Sequence, residues 1–64
     1  MTDEEWKAEF VREMCRQAGF EHFDDGTAVE EYANDVAQSY CDTRDEYDTP
    51  GDAAEADISY WGEE

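Results

Sequence analysis

The sequence predicts an all-α domain, a compact bundle of three short helices, and three observations predict it. Three segments open on the same start signal, a Thr with an acid three residues on: Thr2 with Glu5, Thr27 with Glu30, and Thr49 with Asp52. The apolar residues that follow recur at steps of three and four, the period of an amphipathic helix. Gly19 and Gly62 stand where the first and third segments should stop, in the role glycine takes just past a helix end. A chain of 64 residues has room for a single domain, residues 1–64.

The first helix is predicted over about residues 3–18. Thr2-Asp-Glu-Glu5 is a capping box, in which a hydroxyl and a carboxylate satisfy N–H groups that the helix leaves free. Trp6, Phe10, Met14 and Ala18 follow at four-residue steps, and Val11 and Cys15 widen the stripe. The acids of this segment have bases at helical spacing: Asp3 with Lys7, Glu9 with Arg12, Glu13 with Arg16. Each such pair adds about 0.2–0.5 kcal/mol.

Residues 19–26 connect the first helix to the second. Asp24-Asp-Gly26 supplies turn chemistry, and Phe20 and Phe23 are expected to tuck into the core. The second helix is predicted over 28–42, capped by the box Thr27-Ala-Val-Glu30. Val29, Ala33, Val36, Ala37 and Tyr40 fall on one face, with Tyr32 at its edge. The opposite face carries Glu30, Glu31, Asn34, Asp35, Gln38 and Asp42, without one base. Glu31 and Asp35 are like charges at i, i+4, which costs a few tenths of a kcal/mol.

Residues 42–48, Asp-Thr-Arg-Asp-Glu-Tyr-Asp, are the densest acidic stretch and read as a loop. A third helix is predicted over 50–61. Pro50 suits the first helical position, and Gly51 just after it is unfavourable. Ala54, Ile58 and Trp61 share a face; the run Ile58-Ser-Tyr-Trp61 also has strand propensity. Cys15 and Cys41 fall near the ends of two antiparallel helices, at opposite ends of the pair. They are expected as free thiols, beyond disulfide reach.

Charge narrows the function. The formal net charge is -16, from 20 acids against four bases. Residues 1–20 carry five acids and three bases, whereas residues 21–64 carry fifteen acids and only Arg44. The chain has no Leu, one Ile and three each of Val and Phe, a composition that points to disorder when net charge is high. Nine aromatics and eight alanines oppose that expectation, because each aromatic buries about 150–250 Å². The acidic N-terminus lacks the apolar core of a signal peptide, and no apolar run reaches transmembrane length. A cytoplasmic location is expected, with no membrane partner and no direct binding to nucleic acid, since both surfaces repel an acidic protein.

Chemistry of a catalytic kind is not expected. General acid–base work needs a carboxyl with a raised pKa inside a pocket, and this chain has little apolar wall to build one. His22 reads as a residue of the connector. No catalytic residue, cofactor site or metal site is assigned. The best EF-hand alignment puts Glu46, Asp48, Pro50, Gly51 and Asp57 at positions 1, 3, 5, 6 and 12; Pro50 offers no side-chain oxygen, and position 12 lacks the bidentate Glu.

A protein-binding surface remains. Glu30, Glu31, Asp35 and Asp42, continued by Asp45, Glu46 and Asp48, set carboxylates at helical neighbour distances of about 5–6 Å. Such a row suits a channel lined with Arg and Lys, where it would gain association rate by electrostatic steering. Tyr40, Tyr47 and Tyr60 lie among the acids and read either as interface anchors or as core-edge residues with solvated hydroxyls.

In length, net charge and its acidic stretches, Glu30-Glu31, Asp42–Asp48 and Glu63-Glu64, the chain resembles the small acidic DNA mimics of phages and mobile elements. That class includes anti-CRISPR proteins, anti-restriction proteins and glycosylase inhibitors, and it shares no common fold. The size is most similar to anti-CRISPR proteins that block target-DNA binding by the type I surveillance complex. The resemblance implies a non-enzymatic inhibitor in a host bacterial cytoplasm, whose partner is a basic nucleic-acid-binding protein such as a type I CRISPR effector complex. Another nucleic-acid-binding target fits the same residues. So does a salt-adapted, halophilic interaction protein, for which acids should be spread over the whole surface.

Overall fold

The structure, a computed structural model, describes residues 2–61. Three helices account for most of it: α1 (Asp3–Ala18), α2 (Val29–Asp42) and α3 (Pro50–Trp61), with a single 3₁₀ turn at Arg44–Glu46 between the last two. Among the described residues the only extended pairing is an isolated antiparallel bridge between His22 and Ala28. The all-α bundle of three short helices is therefore the fold. Residues 58–61, which also have strand propensity, are the last turn of α3. The stop predicted at Gly62 lies outside the described residues, as do Glu63 and Glu64.

The α1 helix is the spine, packing along both α2 and α3. Its Trp6, Phe10 and Met14 form the centre of the core. Against them α2 sets Val29, Ala33, Ala37 and Cys41, and α3 sets Ala53 and Ala54. Alanine is the commonest buried residue here, which lets the neighbouring backbones approach α1 while its large side chains fill the space between. Trp6 stacks on Phe10 at 5.6 Å and Phe10 on Tyr40 at 5.1 Å. Aromatic rings thus do the work that leucines do in most cores. The Cα radius of gyration is 11.1 Å, against about 10.7 Å expected for this length.

Local signals explain the ends of α1. Glu5 N–H donates to Thr2 Oγ1 at 3.1 Å and Thr2 N–H to Glu5 Oε1 at 2.9 Å, so the predicted capping box is formed. Gly19 ends the helix with φ of 77°, a left-handed conformation that glycine adopts without steric cost.

The start of α2 departs from expectation. The cap residue is Ala28, and no side chain caps the helix, so the Thr27 box does not form. A backbone carbonyl takes its place: Val29 N–H donates to Glu21 O at 2.9 Å. The connector folds back on itself through Phe23 N–H to Thr27 O and Gly26 N–H to Phe23 O, both 2.8 Å. With Asp25 Oδ1 accepting from Thr27 N–H at 2.9 Å, this small hairpin-like turn carries Ala28 into position. The predicted Asp24-Asp25-Gly26 turn is present, but the helix it delivers begins one residue later.

At α3, Thr49 Oγ1 accepts from Asp52 N–H at 3.1 Å, as its start signal predicts. Gly51, unfavourable as a helix former, sits against the side chains of α1. A Cβ there would lie 3.2 Å from Glu13 Oε1, and Gln17 Nε2 donates to Gly51 O at 3.1 Å. Two further expectations are corrected. Phe20 is 44% exposed, whereas Phe23 is half-buried and packs against the core; the folded-back connector holds both rings at the end of the bundle. The predicted Asp3–Lys7 pair is replaced by contacts between elements: Asp3 pairs with Arg44 at 3.1 Å, and Lys7 Nζ donates to Gln38 at 3.0 Å.

Candidate anionic interface

The seven acids predicted to form the interface are all exposed: Glu30, Glu31, Asp35, Asp42, Asp45, Glu46 and Asp48. Four lie on α2 and the rest in or just after the 3₁₀ turn, so the predicted loop is partly helical. Burial of Val29, Ala33, Ala37 and Cys41 fixes the orientation of α2. Glu31, Asp35 and Asp42 then occupy the side facing away from the core, because a helix turns about 100° per residue. Glu31 and Asp42 are about 16 Å apart along the axis at the standard rise.

The others of the seven stand apart from that row. Glu30 lies toward α1, beside Val11, Arg12 and Cys15. Burial of Cys15, together with the carboxylate of Glu30, pushes the Cys15 thiol pKa up. At the other end of the molecule Asp45 and Asp48 border a shallow groove with Trp6, Tyr47 and Pro50. The two thiols are likewise separated and free: Cys41 is buried against the start of α1, with Asp3 O at 4.0 Å from its sulfur, whereas Cys15 is half-buried near the other end of α1.

The bases explain why the row keeps its charge. Arg12 pairs with Glu9 and Arg16 with Glu13, both within α1. Arg44 donates to Cys41 O at 2.8 Å and pairs with Asp3. It caps the free carbonyls at the end of α2, a position where a cation is favoured, and clips the turn to the start of α1. The α2 and α3 helices have no base in their last turns. Among the described residues no ion pair involves any of the seven acids. Lys7 is held on Gln38, whose amide in turn donates to Asp42 Oδ1 at 2.9 Å.

The anionic surface is wider than the predicted row. Glu21, Asp24 and Asp25 in the connector and Asp52 and Glu55 on α3 are also exposed and make no ion pair among the described residues.

One acid behaves differently, and sequence reasoning placed it only as a poor calcium ligand. Asp57 is 8% exposed and accepts from Tyr32 Oη at 2.7 Å and Tyr40 Oη at 2.6 Å. It joins α3 to α2, and the two donors make its burial tolerable. Burial and the bond to Asp57 push the phenol pKa of both tyrosines up. Of the three tyrosines read as possible anchors, Tyr40 is thereby a core-edge residue. Tyr47 is half-buried against the Tyr40 ring at 5.8 Å, and Tyr60 is 67% exposed. The spacing of Tyr32 and Tyr40, two helical turns apart on one side of α2, was the available signal for this bridge.

No set of His, Cys, Asp and Glu among the described residues is grouped to hold a metal ion. No helix among them is long and apolar enough to cross a membrane. No protein family, characterised protein or solved structure matches the chain.

Proposed function

We propose that this protein is a non-enzymatic DNA mimic, an inhibitor that presents phosphate-like charge to the DNA-binding site of a basic protein. The observation that carries this reading is the row on α2 and its following turn, whose acids make no ion pair among the described residues: Arg12 and Arg16 pair within α1, Lys7 is held on Gln38, and Arg44, inside the turn, is turned to Asp3 and Cys41 O. The charge density is of the right order. A net charge of -16 along a longest dimension of 33 Å gives about one charge per 2 Å, against about 1.7 Å for duplex DNA. The target class that best fits this size and charge is a CRISPR effector complex, with the type I surveillance complex first; the protein would then be an anti-CRISPR acting in a host bacterial cytoplasm.

The test is competition. Purified type I surveillance complex is mixed with target duplex and increasing protein, and DNA retention is measured. The double variant Glu31→Lys, Asp35→Lys should inhibit at least tenfold less well, with unchanged helicity by circular dichroism. Inhibition by the natural protein should fade as salt rises. Inhibition that survives both the reversal and high salt would overturn the reading for this face. If this complex is untouched, capture of partners from a host lysate identifies whether another nucleic-acid-binding protein is the target.

A second reading, salt adaptation, is favoured by one observation: exposed acids on the connector and α3 as well as on α2. Circular dichroism at low salt separates the two. A salt-adapted protein loses its helices there, and a mimic keeps them.

A further inference from the structure

At one end of the bundle an open groove of about 610 Å³ lies between the end of α1, the connector and the end of α3. Phe20, Phe23, Ile58 and Trp61 supply its apolar wall, and His22 and Asp24 its polar one. The rings hold one another. Phe23 meets Trp61 edge-on at 5.0 Å, Phe20 meets Phe23 at 5.5 Å, and Tyr32 backs both Phe23 and Trp61 at 5.5 and 5.8 Å. Phe20 nevertheless leaves 44% of its surface in solvent. In a chain so short of large apolar residues, an exposed phenylalanine within a preformed ring cluster calls for an occupant.

Charge decides which occupant. A second copy would bring two bodies of -16 together, and an anionic lipid surface is repelled in the same way. A cation is drawn in. We infer that the groove receives an arginine side chain from the basic partner, its guanidinium stacked on the aromatic wall and its charge answered by Asp24. Arginine suits such a place better than lysine, because its planar group stacks on rings and offers a paired set of donors to a carboxylate. The groove also adjoins the anionic row. Tyr32, which backs the ring cluster, is followed at i+3 by Asp35, its neighbour on the surface of α2. One basic surface can therefore meet the row while an arginine enters the groove. This inference rests on the mimic reading for the sign of the partner's charge, and adds the apolar contact that charge alone lacks.

The probe is a capped tetra-arginine peptide, with tetra-lysine and tetra-citrulline peptides for comparison, titrated into the isotope-labelled full chain. Nuclear magnetic resonance follows the two indole N–H signals. The expected result is a saturable shift of Trp61 and of the amides of residues 20–24, with Trp6, 6% exposed in the core, unmoved. Arginine should bind about three- to tenfold more tightly than lysine, because only its planar group stacks flat on the rings and pairs two donors with a carboxylate, and citrulline should not bind measurably. Phe20→Ala should remove the preference for arginine. Asp24→Asn, which leaves every ring in place, should weaken arginine binding severalfold. Shifts confined to α2 and the 3₁₀ turn, or equal binding of arginine and lysine, would overturn the inference. So would a Trp61 signal that moves with protein concentration alone, which would mark self-association. The double reversal on α2 separates the two proposals. If Trp61 still responds while inhibition of the target is unaffected by the reversal, the groove stands and the mimic reading fails. If Trp61 is silent while the reversal abolishes inhibition, the groove fails and the mimic reading stands.

Discussion

The α1 and α2 helices are 16 and 14 residues long, and both bury an apolar stripe against the same core. They treat charge in opposite ways. On α1 the acids are placed to stabilise: in a capping box, in the first turn, and in pairs with Arg12 and Arg16. On α2 Glu30 and Glu31 also lie in the first turn, but the cap is a backbone carbonyl, the last turn has an acid and no base, and Glu31 and Asp35 repel each other one turn apart. The comparison separates residues that hold the fold from residues the fold merely carries. If stability alone had shaped α2, a lysine at one of its acidic positions would have been an easy gain.

Substitutions test this difference between the helices, and the largest effect belongs to the core. Phe10 is fully buried and stacks on both Trp6 and Tyr40. Phe10→Ala should cost about 3–5 kcal/mol, enough to unfold a domain of this size, as thermal denaturation would record. If the domain instead stays folded, α1 is not the spine described here.

Asp57 comes next. Asp57→Ala strands two tyrosine hydroxyls and should cost about 1–3 kcal/mol. The same bridge predicts a pH dependence. The folded state raises the pKa of Tyr32 and Tyr40, so the unfolded chain gives up those protons first. Stability from this source is complete below about pH 10, the ordinary tyrosine value, and falls as pH rises beyond it. Tyr40→Phe should blunt that alkaline loss in urea titrations at several pH values. An unchanged alkaline slope would mean that the bridge is not formed in solution.

Smaller effects follow at the surface. Thr2→Ala removes the hydroxyl of the capping box and should cost about 1 kcal/mol, whereas Thr27→Ala should cost far less, because Thr27 caps nothing. Equal losses at the two threonines would contradict the observed start of α2. The smallest stability change is expected for Glu31→Lys with Asp35→Lys, within about 0.5 kcal/mol of zero. That near-neutrality, set beside a large loss of inhibition, is what the contrast between the helices requires.

The parts of this fold that were legible in the sequence are those decided within a few residues. The extents of all three helices, the Thr2 box and the Gly19 stop depend on neighbours along the chain, and so does the side of α2 that carries its acids. What escaped was decided by partners distant in sequence. Thr27 lost its role because Glu21 O reached Val29 first. Lys7 and Asp3 lie at ideal helical spacing but found Gln38 and Arg44 instead. Gly51 looked like a flaw in a helix until Glu13 was seen beside it. Asp57 was one acid among many, and only the approach of α3 to α2 distinguishes it. Of the candidate interface, the exposure of the acids was legible. The separation of Glu30 from the outward row was less so, because it depends on where α1 lies.

The position of α1 between its two partners also sets an order of assembly. Its contacts with α2 cross a short connector, so this pair can zip together quickly as a local unit. Its contacts with α3 must close a much longer stretch, as Gln17 reaching Gly51 illustrates. The third helix is therefore expected to dock last and detach first, held by Ala53 and Ala54, by Ile58 and Trp61, and by the Asp57 bridge. Its amides should exchange with solvent sooner than those of α1. Because α2 packs on α1 without needing α3, its exposed acids should stay in place even where α3 is detached.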